Sequence, residues 1–274
     1  MATLVTFHAH PDDESIATGG LMAKAAADGH RVVLVTATRG EQGEPVPGIL
    51  NDGEPLWERR VAETHRSAEV LGVERVEFLG YEDSGMMGEP TNDNPVCFWR
   101  ADVEEAAKRL AAILAEVDAD VLTIYDDHGG YGHPDHIQVH RVGRRAAALA
   151  GVAQVFQATM NRTQIQESMR ERAAELEAAI EENPELVAEQ SDFGSPEEII
   201  THAVDVSAYI DRKRESMICH ASQISDDSFF MKLPPEMFAV AFGTEWFIAL
   251  DGIRADGEPF GDDLFTGFPV VGEA

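Results

Sequence analysis

Only two cysteines occur in 274 residues, and Cys97 and Cys219 have neither metal-ligand spacing nor the makings of a disulfide framework, so both are read as free thiols. Long apolar runs are also missing. No stretch approaches the roughly 18 to 20 residues of a membrane-spanning helix. The chain runs from Met1 almost directly into a first strand, without a charged leader region or an apolar stretch of signal-peptide length, and a cytoplasmic location is expected. Positive charge is scarce, with 21 basic against 50 acidic residues, a net charge of −29, and few lysines relative to arginines. A field of that sign disfavours nucleic acid and anionic membranes as partners. A solvated surface, a salt-rich cytoplasm or an acidic proteome would each account for it. No Gly-x-Gly-x-x-Gly follows the first strand, which argues against a nucleotide-binding module, and there is no internal repeat or low-complexity linker.

What is present is an alternation of strand and helix patterns. Residues 3–9 read as a strand, 11–27 as a helix ending at Asp28-Gly29, and 31–36 as a second, fully buried strand. A long loop through 39–48 precedes a helix at 56–71, with Gly72 placed to cap it. A short third strand at 76–79, a Gly/Pro/Asn-rich loop to about 95, a helix near 101–117 and a fourth strand at 120–125 follow. A helix from Pro134 to about Ala150 and a strand near 152–157 complete the pattern. The expectation is an α/β fold, a Rossmann-like doubly wound parallel sheet over 1–158, with strands in the order 3-2-1-4-5. Residues 159–274 are expected to add a smaller C-terminal cap packed on that core: exposed helix at 164–190, an extended 199–206, helix at 207–220, strand at 238–250 and a loose tail from Asp251.

Two similar stretches dominate the chemistry. His10-Pro11-Asp12-Asp13-Glu14 follows strand one, and His133-Pro134-Asp135-His136 follows strand four. Pro at the first helical position has no N–H to leave unpaired, so each stretch reads as a rigid strand-to-helix turn. In the expected strand order both turns open into the crevice at the carboxyl end of the sheet, where winding reverses and ligands bind. His10 and Asp13, three residues apart, can converge, and His136 can join them from the neighbouring strand end. Two imidazoles and a carboxylate with an open position are what catalytic zinc requires, and such an ion lowers the pKa of water and polarises a carbonyl. Asp12 is then free to act as general base. His133 is a candidate to stabilise a tetrahedral intermediate or to protonate a leaving amine, and Tyr131, after Gly129-Gly130, to reach the oxyanion.

These residues resemble a known family, the LmbE-like or PIG-L-type zinc deacetylases. That family includes N-acetylglucosaminyl-phosphatidylinositol deacetylases and the deacetylase and amidase of mycothiol metabolism. The resemblance rests on 9–14, Thr38-Arg39-Gly40-Glu41, Arg60 with Glu63 ahead of Leu71-Gly72, 80–85, 129–136 and His220-Ala221-Ser222-Gln223, and so covers most of the chain. It implies His10, Asp13 and His136 as metal ligands, Asp12 as the base, and His133 with Tyr131 at the intermediate. It further implies Arg60 and Asp83 at the substrate sugar or inositol, Asp135 behind the ligands orienting a histidine, and His220 facing the site from the cap. His65 and His140 are read as helix-face residues. Asp126-Asp127-His128 departs from the family pattern, where a Pro-Asn-like pair is common in the mycothiol deacetylase, and this leaves the substrate open but not the metal site.

The expected activity is zinc-dependent hydrolysis of an N-acyl, chiefly N-acetyl, amide on a glucosamine-containing conjugate, with Asp12 activating the water. The alternatives are amide cleavage on thiol S-conjugates, deacetylation of an antibiotic intermediate and, from another class, a non-catalytic sugar-binding protein. The cofactor is expected to be Zn2+, with Fe2+ able to use the same ligands. The partner is a small amino-sugar conjugate, and the sequence is compatible with a homo-oligomer.

Overall fold

The structure is a computed structural model, and residues 1–171 and 193–268 are described. In chain order the elements are β1 (Thr3–His8), α1 (Asp13–Ala17), α2 (Gly19–Ala27), β2 (Arg31–Thr36), α3 (Leu56–Leu71), β3 (Arg75–Phe78), α4 (Val103–Glu116), β4 (Val121–Tyr125), a single turn α5 (Gly129–Gly132), α6 (Pro134–Ala150), β5 (Gln154–Thr159), α7 (Arg162–Glu171), β6 (His202–Asp205), α8 (Ile210–Cys219), α9 (Phe229–Lys232), α10 (Pro235–Phe242) and β7 (Thr244–Ala249). The strands form a seven-stranded sheet in the order β3-β2-β1-β4-β5-β7-β6. β1 to β5 are parallel, β7 runs antiparallel to β5, and β6 antiparallel to β7. The first five strands thus take the expected order, and β1 and β4 are neighbours at the reversal.

Alternation along β1 sorts its side chains between two cores. Val5 and Phe7 pack with Leu110, Leu114, Val139 and Val142 of α4 and α6. Leu4 faces the other way, towards Leu21, Met22, Leu71 and Phe247. Burying each such leucine or phenylalanine contributes about 1.5–3 kcal/mol. Among the described residues no helix is long and apolar enough to cross a membrane.

Several local expectations need correcting. The helix read as 11–27 is broken at Thr18 (φ −136°), because the Glu245 carboxylate accepts from Gly20 N and Leu21 N, both at 2.8 Å, and so starts a new helix there. Pro11 does not open a helix, since α1 begins at Asp13; Pro134 does, with the His133 side chain accepting from Asp135 N at 3.1 Å. The run expected as strand from Phe238 is helical to Phe242 and extended only from Thr244. Pro235 starts that helix, and Phe238 and Phe242, one turn apart, pack ring to ring at 4.8 Å. Beyond 159 the chain returns to the sheet edge through β6 and β7. The expected helix at 164–190 is described as far as Glu171, and the rest of it lies outside the described residues.

Gly143 lets α6 lie close against the sheet: a Cβ there would run into Ile124 Cγ2 and lie 3.5 Å from Phe7 Cδ1. Helix propensity alone makes Gly→Ala stabilising by about 1 kcal/mol. Gly143→Ala is instead expected to destabilise by about 1–3 kcal/mol through overpacking, read as a Tm lowered by several degrees in thermal circular dichroism. A raised Tm would mean that α6 can shift away from the sheet.

Candidate active site

At the end of β1, His8 is locked between Tyr125 Oη and Thr18 Oγ1, each at 2.8 Å. The chain then turns through Asp12, whose φ of 96° is a left-handed conformation unusual for a residue with a side chain. This turn throws Asp13 back over the strand end. Its Oδ2 accepts from His10 N at 2.8 Å and lies 3.3 Å from His10 Nδ1 and 3.4 Å from His136 Nε2. His136 is stacked on Tyr125 (centroids 4.4 Å apart), and its Nε2 is buried without a hydrogen-bond partner. The far nitrogen of His10, Nε2, meets Asp135 Oδ2 at 3.1 Å and Asp83 Oδ1 at 3.3 Å. Asp135 is held by Ser84 N at 2.9 Å and by Ser84 Oγ.

Burial disfavours a charged His10, but Asp83, Asp13 and Asp135 outweigh it and raise its pKa well above the usual range. Burial lifts the Asp12 carboxyl to about 6, against the pull of Arg60. His133 is pushed down to about 3 by burial and by the neighbouring His10 and His136. Its ring is 4.6 Å from that of His10 and 5.1 Å from that of His136. Because His133 Nδ1 accepts from Asp135 N, its single proton resides on Nε2. Tyr131 is 46% exposed, with its ring 5.0 Å from His136, and burial of its hydroxyl keeps it protonated.

The structure therefore brings His10, Asp12, Asp13, Tyr131, His133, Asp135 and His136 to one place. The three residues expected at the substrate have other partners. His220 is fully buried and pairs through Nε2 with Glu14 Oε1 at 2.6 Å, behind the Asp12 turn. Arg60, 4% exposed, donates from Nη1 to Gly40 O at 2.9 Å and from Nη2 to Pro11 O, with Asp12 Oδ2 at 3.3 Å. The same contact explains Gly40, where a Cβ would collide with the guanidinium. Asp83 accepts from Gly85 N at 2.9 Å and Gln42 N at 3.2 Å, in addition to its contact with His10.

Two residues named in the sequence were given no role there. Glu14, fully buried, accepts from Asp12 N and from Ser67 Oγ. Asp126 accepts from Gly130 N at 2.6 Å and Thr159 Oγ1 at 2.7 Å, and so braces the turn that carries Tyr131. Glu14 closes the first motif and Asp126 stands just ahead of the second, which was the available signal. A cavity of about 450 Å³ extends from Asp12, Asp13 and His136 across β5 to Phe242 and Trp246. That volume is typical of a small-molecule site.

The profile of the family described as "PIG-L: GlcNAc-PI de-N-acetylase" matches residues 5–147. A 1D-myo-inositol 2-acetamido-2-deoxy-alpha-D-glucopyranoside deacetylase from Thermomonospora curvata is 42% identical, over 96% of this chain and 95% of that protein. The enzyme of the same name from Thermobifida fusca is 41% identical, over 96% and 98%. Among solved structures, N,N'-diacetylchitobiose deacetylase from Pyrococcus horikoshii is similar in fold, with a TM-score of 0.62 at 18% identity, over 90% of this chain and 83% of that one.

Arg60 ties the carbonyls of two loops together, and a lysine ammonium cannot present the same fork. Arg60→Lys is expected to lower the urea midpoint, at unchanged m-value, by the equivalent of about 2 kcal/mol, since a buried carbonyl loses its donor. An unchanged midpoint would mean that the fork is dispensable for stability.

Proposed function

The chain belongs to the PIG-L family, and from that premise we propose that it is a metal-dependent N-deacetylase acting on the 2-acetamido group of a glucosamine-containing conjugate. The named relatives act on an inositol glycoside of 2-acetamido-2-deoxyglucose, and a small polar glycoside of that class is the substrate proposed here. A cytoplasmic location is part of this reading, supported by the two free thiols.

The observation that carries it is the meeting of Asp13 Oδ2 with His10 Nδ1 and His136 Nε2 at 3.3 and 3.4 Å. Two donor atoms each about 2.0–2.1 Å from a tetrahedral zinc lie roughly 3.3–3.4 Å apart, as in each of these two contacts, and His10, His133 and His136 also carry donor atoms that all lie within 4.8 Å of one another. The orphaned His136 Nε2 also fits a nitrogen awaiting a cation, and the N/N/O donor set suits zinc. His10, Asp13 and His136 would hold the ion, with Asp135 fixing the His10 tautomer from its far nitrogen. A divalent ion there supplies Lewis-acid polarisation of the amide carbonyl and acidifies a water molecule.

The remaining work falls to the chain's own side chains. Asp12 takes the proton of the attacking water as its oxygen bonds to the carbonyl carbon. His133 Nε2–H donates to the oxygen that gains charge, and the Tyr131 hydroxyl can add a second hydrogen bond. Protonating the amine from His133 would leave an imidazolate, because its Nδ1 is already an acceptor. Asp12 therefore returns its proton to the nitrogen as the C–N bond breaks, releasing acetate and the free amine. With Arg60, Asp83 and His220 engaged within the protein, substrate contacts are assigned to the cavity walls.

Amine release from an N-acetylglucosaminyl inositol is the direct test. It is expected to vanish on chelation and to return with zinc or ferrous ion. His136→Ala is expected to lose both metal and activity. Asp12→Asn should keep one metal per chain and lose about 100- to 10,000-fold in kcat. Turnover undiminished by chelation, or a wild-type rate in Asp12→Asn, would sink this mechanism.

A further inference from the structure

Asp12 has a strained backbone, at φ 96° and ψ −32°. Such a conformation persists only where its surroundings impose it. The chain bends there because the Glu14 side chain folds back over its own turn and accepts the Asp12 N–H on Oε2 at 2.9 Å. The other oxygen of Glu14 is fixed from two remote helices. Ser67 Oγ of α3 donates at 2.6 Å, and His220 Nε2, at the end of α8, lies at 2.6 Å. Ser15 Oγ adds a contact at 2.9 Å. His220 is itself held from behind, because the turn that follows it is pinned by Ser222 N and Oγ on Glu63, at 3.0 and 2.6 Å. His220 Nδ1 is buried without a hydrogen-bond partner, so the polar contact of the ring is the one to Glu14.

A buried polar cluster that merely tied α8 and α3 to α1 would have no reason to end on the main-chain N–H of Asp12. We propose that Glu14, seated by His220 and Ser67, is a positioning device that sets the Asp12 backbone and thereby aims its carboxylate. None of the three touches substrate. The proposal rests on Asp12 as the base. It also reassigns His220 from substrate contact to support of the catalytic turn.

The test is a mutant cycle in the metal-loaded enzyme, with kcat, KM, metal content and Tm measured for each variant. His220→Phe keeps the volume of the ring and removes the donor. It is expected to lower kcat about 10- to 100-fold, as for a slight misplacement of a reacting group, with KM nearly unchanged and one metal per chain. In an Asp12→Asn background the same change should cost less than about 3-fold, because residues that act through one group are non-additive. His220→Gln, which restores an N–H donor, should recover part of kcat. Should His220→Phe not fold, Ser67→Ala decides: a loss of kcat that disappears in the Asp12→Asn background supports the proposal. An equal loss with and without Asp12, a fall in metal content that accounts for the whole effect, or wild-type kcat in both His220→Phe and Ser67→Ala overturns it. If Asp12→Asn alone retains wild-type kcat, the base assignment fails first, and the device loses the group on which it acts.

Discussion

A single carboxylate oxygen, Asp13 Oδ2, joins the two halves of the site. It accepts the main-chain N–H of His10 at the end of β1 and faces an imidazole from each histidine turn. Around it the protein gathers negative charge: Asp83 and Asp135 both reach His10 Nε2, and Asp12 and Glu14 flank Asp13 in sequence. Buried carboxylates are costly unless paired or hydrogen-bonded. Here almost every one is given main-chain or hydroxyl donors, as Ser84 gives Asp135 and Gly85 gives Asp83. The raised pKa of His10 reflects the excess of anions over cations that remains. A divalent cation is the natural complement of such a pocket. The overall charge of −29 has a different basis, since among the described residues most of the acids are exposed on the surface.

The strands and the two histidine turns were legible because they are encoded locally, whereas the strand order was taken from the common doubly wound arrangement. Runs such as Val32 to Val35 announce buried parallel strands, and a polar triplet after a strand announces a turn with chemistry. The break at Thr18 was not legible, because the group responsible is Glu245, 225 residues from the Gly20 N–H it accepts. Periodicity in a window around Thr18 cannot register a carboxylate that distant. The same holds for His220, since a helix end near the C-terminus reads alike whether it faces a cavity or the underside of a turn. At 238–242 the error had another source: a short apolar run suits helix and strand equally, and the Pro234-Pro235 start was the better guide.

Glu245 has a second effect, through its ion pair with Lys213 at 2.6 Å, both side chains being almost fully buried. One carboxylate thus fastens β7, α8 and the start of α2. The helix that delivers His220 to Glu14 is the one anchored by this pair. The C-terminal segment is therefore bound to the N-terminal helices by two buried polar links, Glu245 to Gly20 N and Leu21 N, and His220 to Glu14, and removal of Lys213 or His220 would leave a buried carboxylate without its cationic or hydrogen-bonding partner.

The site is consequently stiff on one side and permissive on the other. His10, Asp12, Asp13, His133 and His136 stand on strand ends and helix starts, with backbone or side-chain bonds to each. Tyr131 alone stands on a turn flanked by Gly129, Gly130 and Gly132, all at positive φ, and Asp126 braces that turn from below. Its ring is half exposed, with its centroid 6.3 Å from that of Phe193, beyond the end of β5. Rigidity is needed where protons and ligands must be aimed within a fraction of an ångström. In the proposed reaction Tyr131 only has to meet an oxygen once the substrate is seated, and such a group tolerates a glycine-rich support.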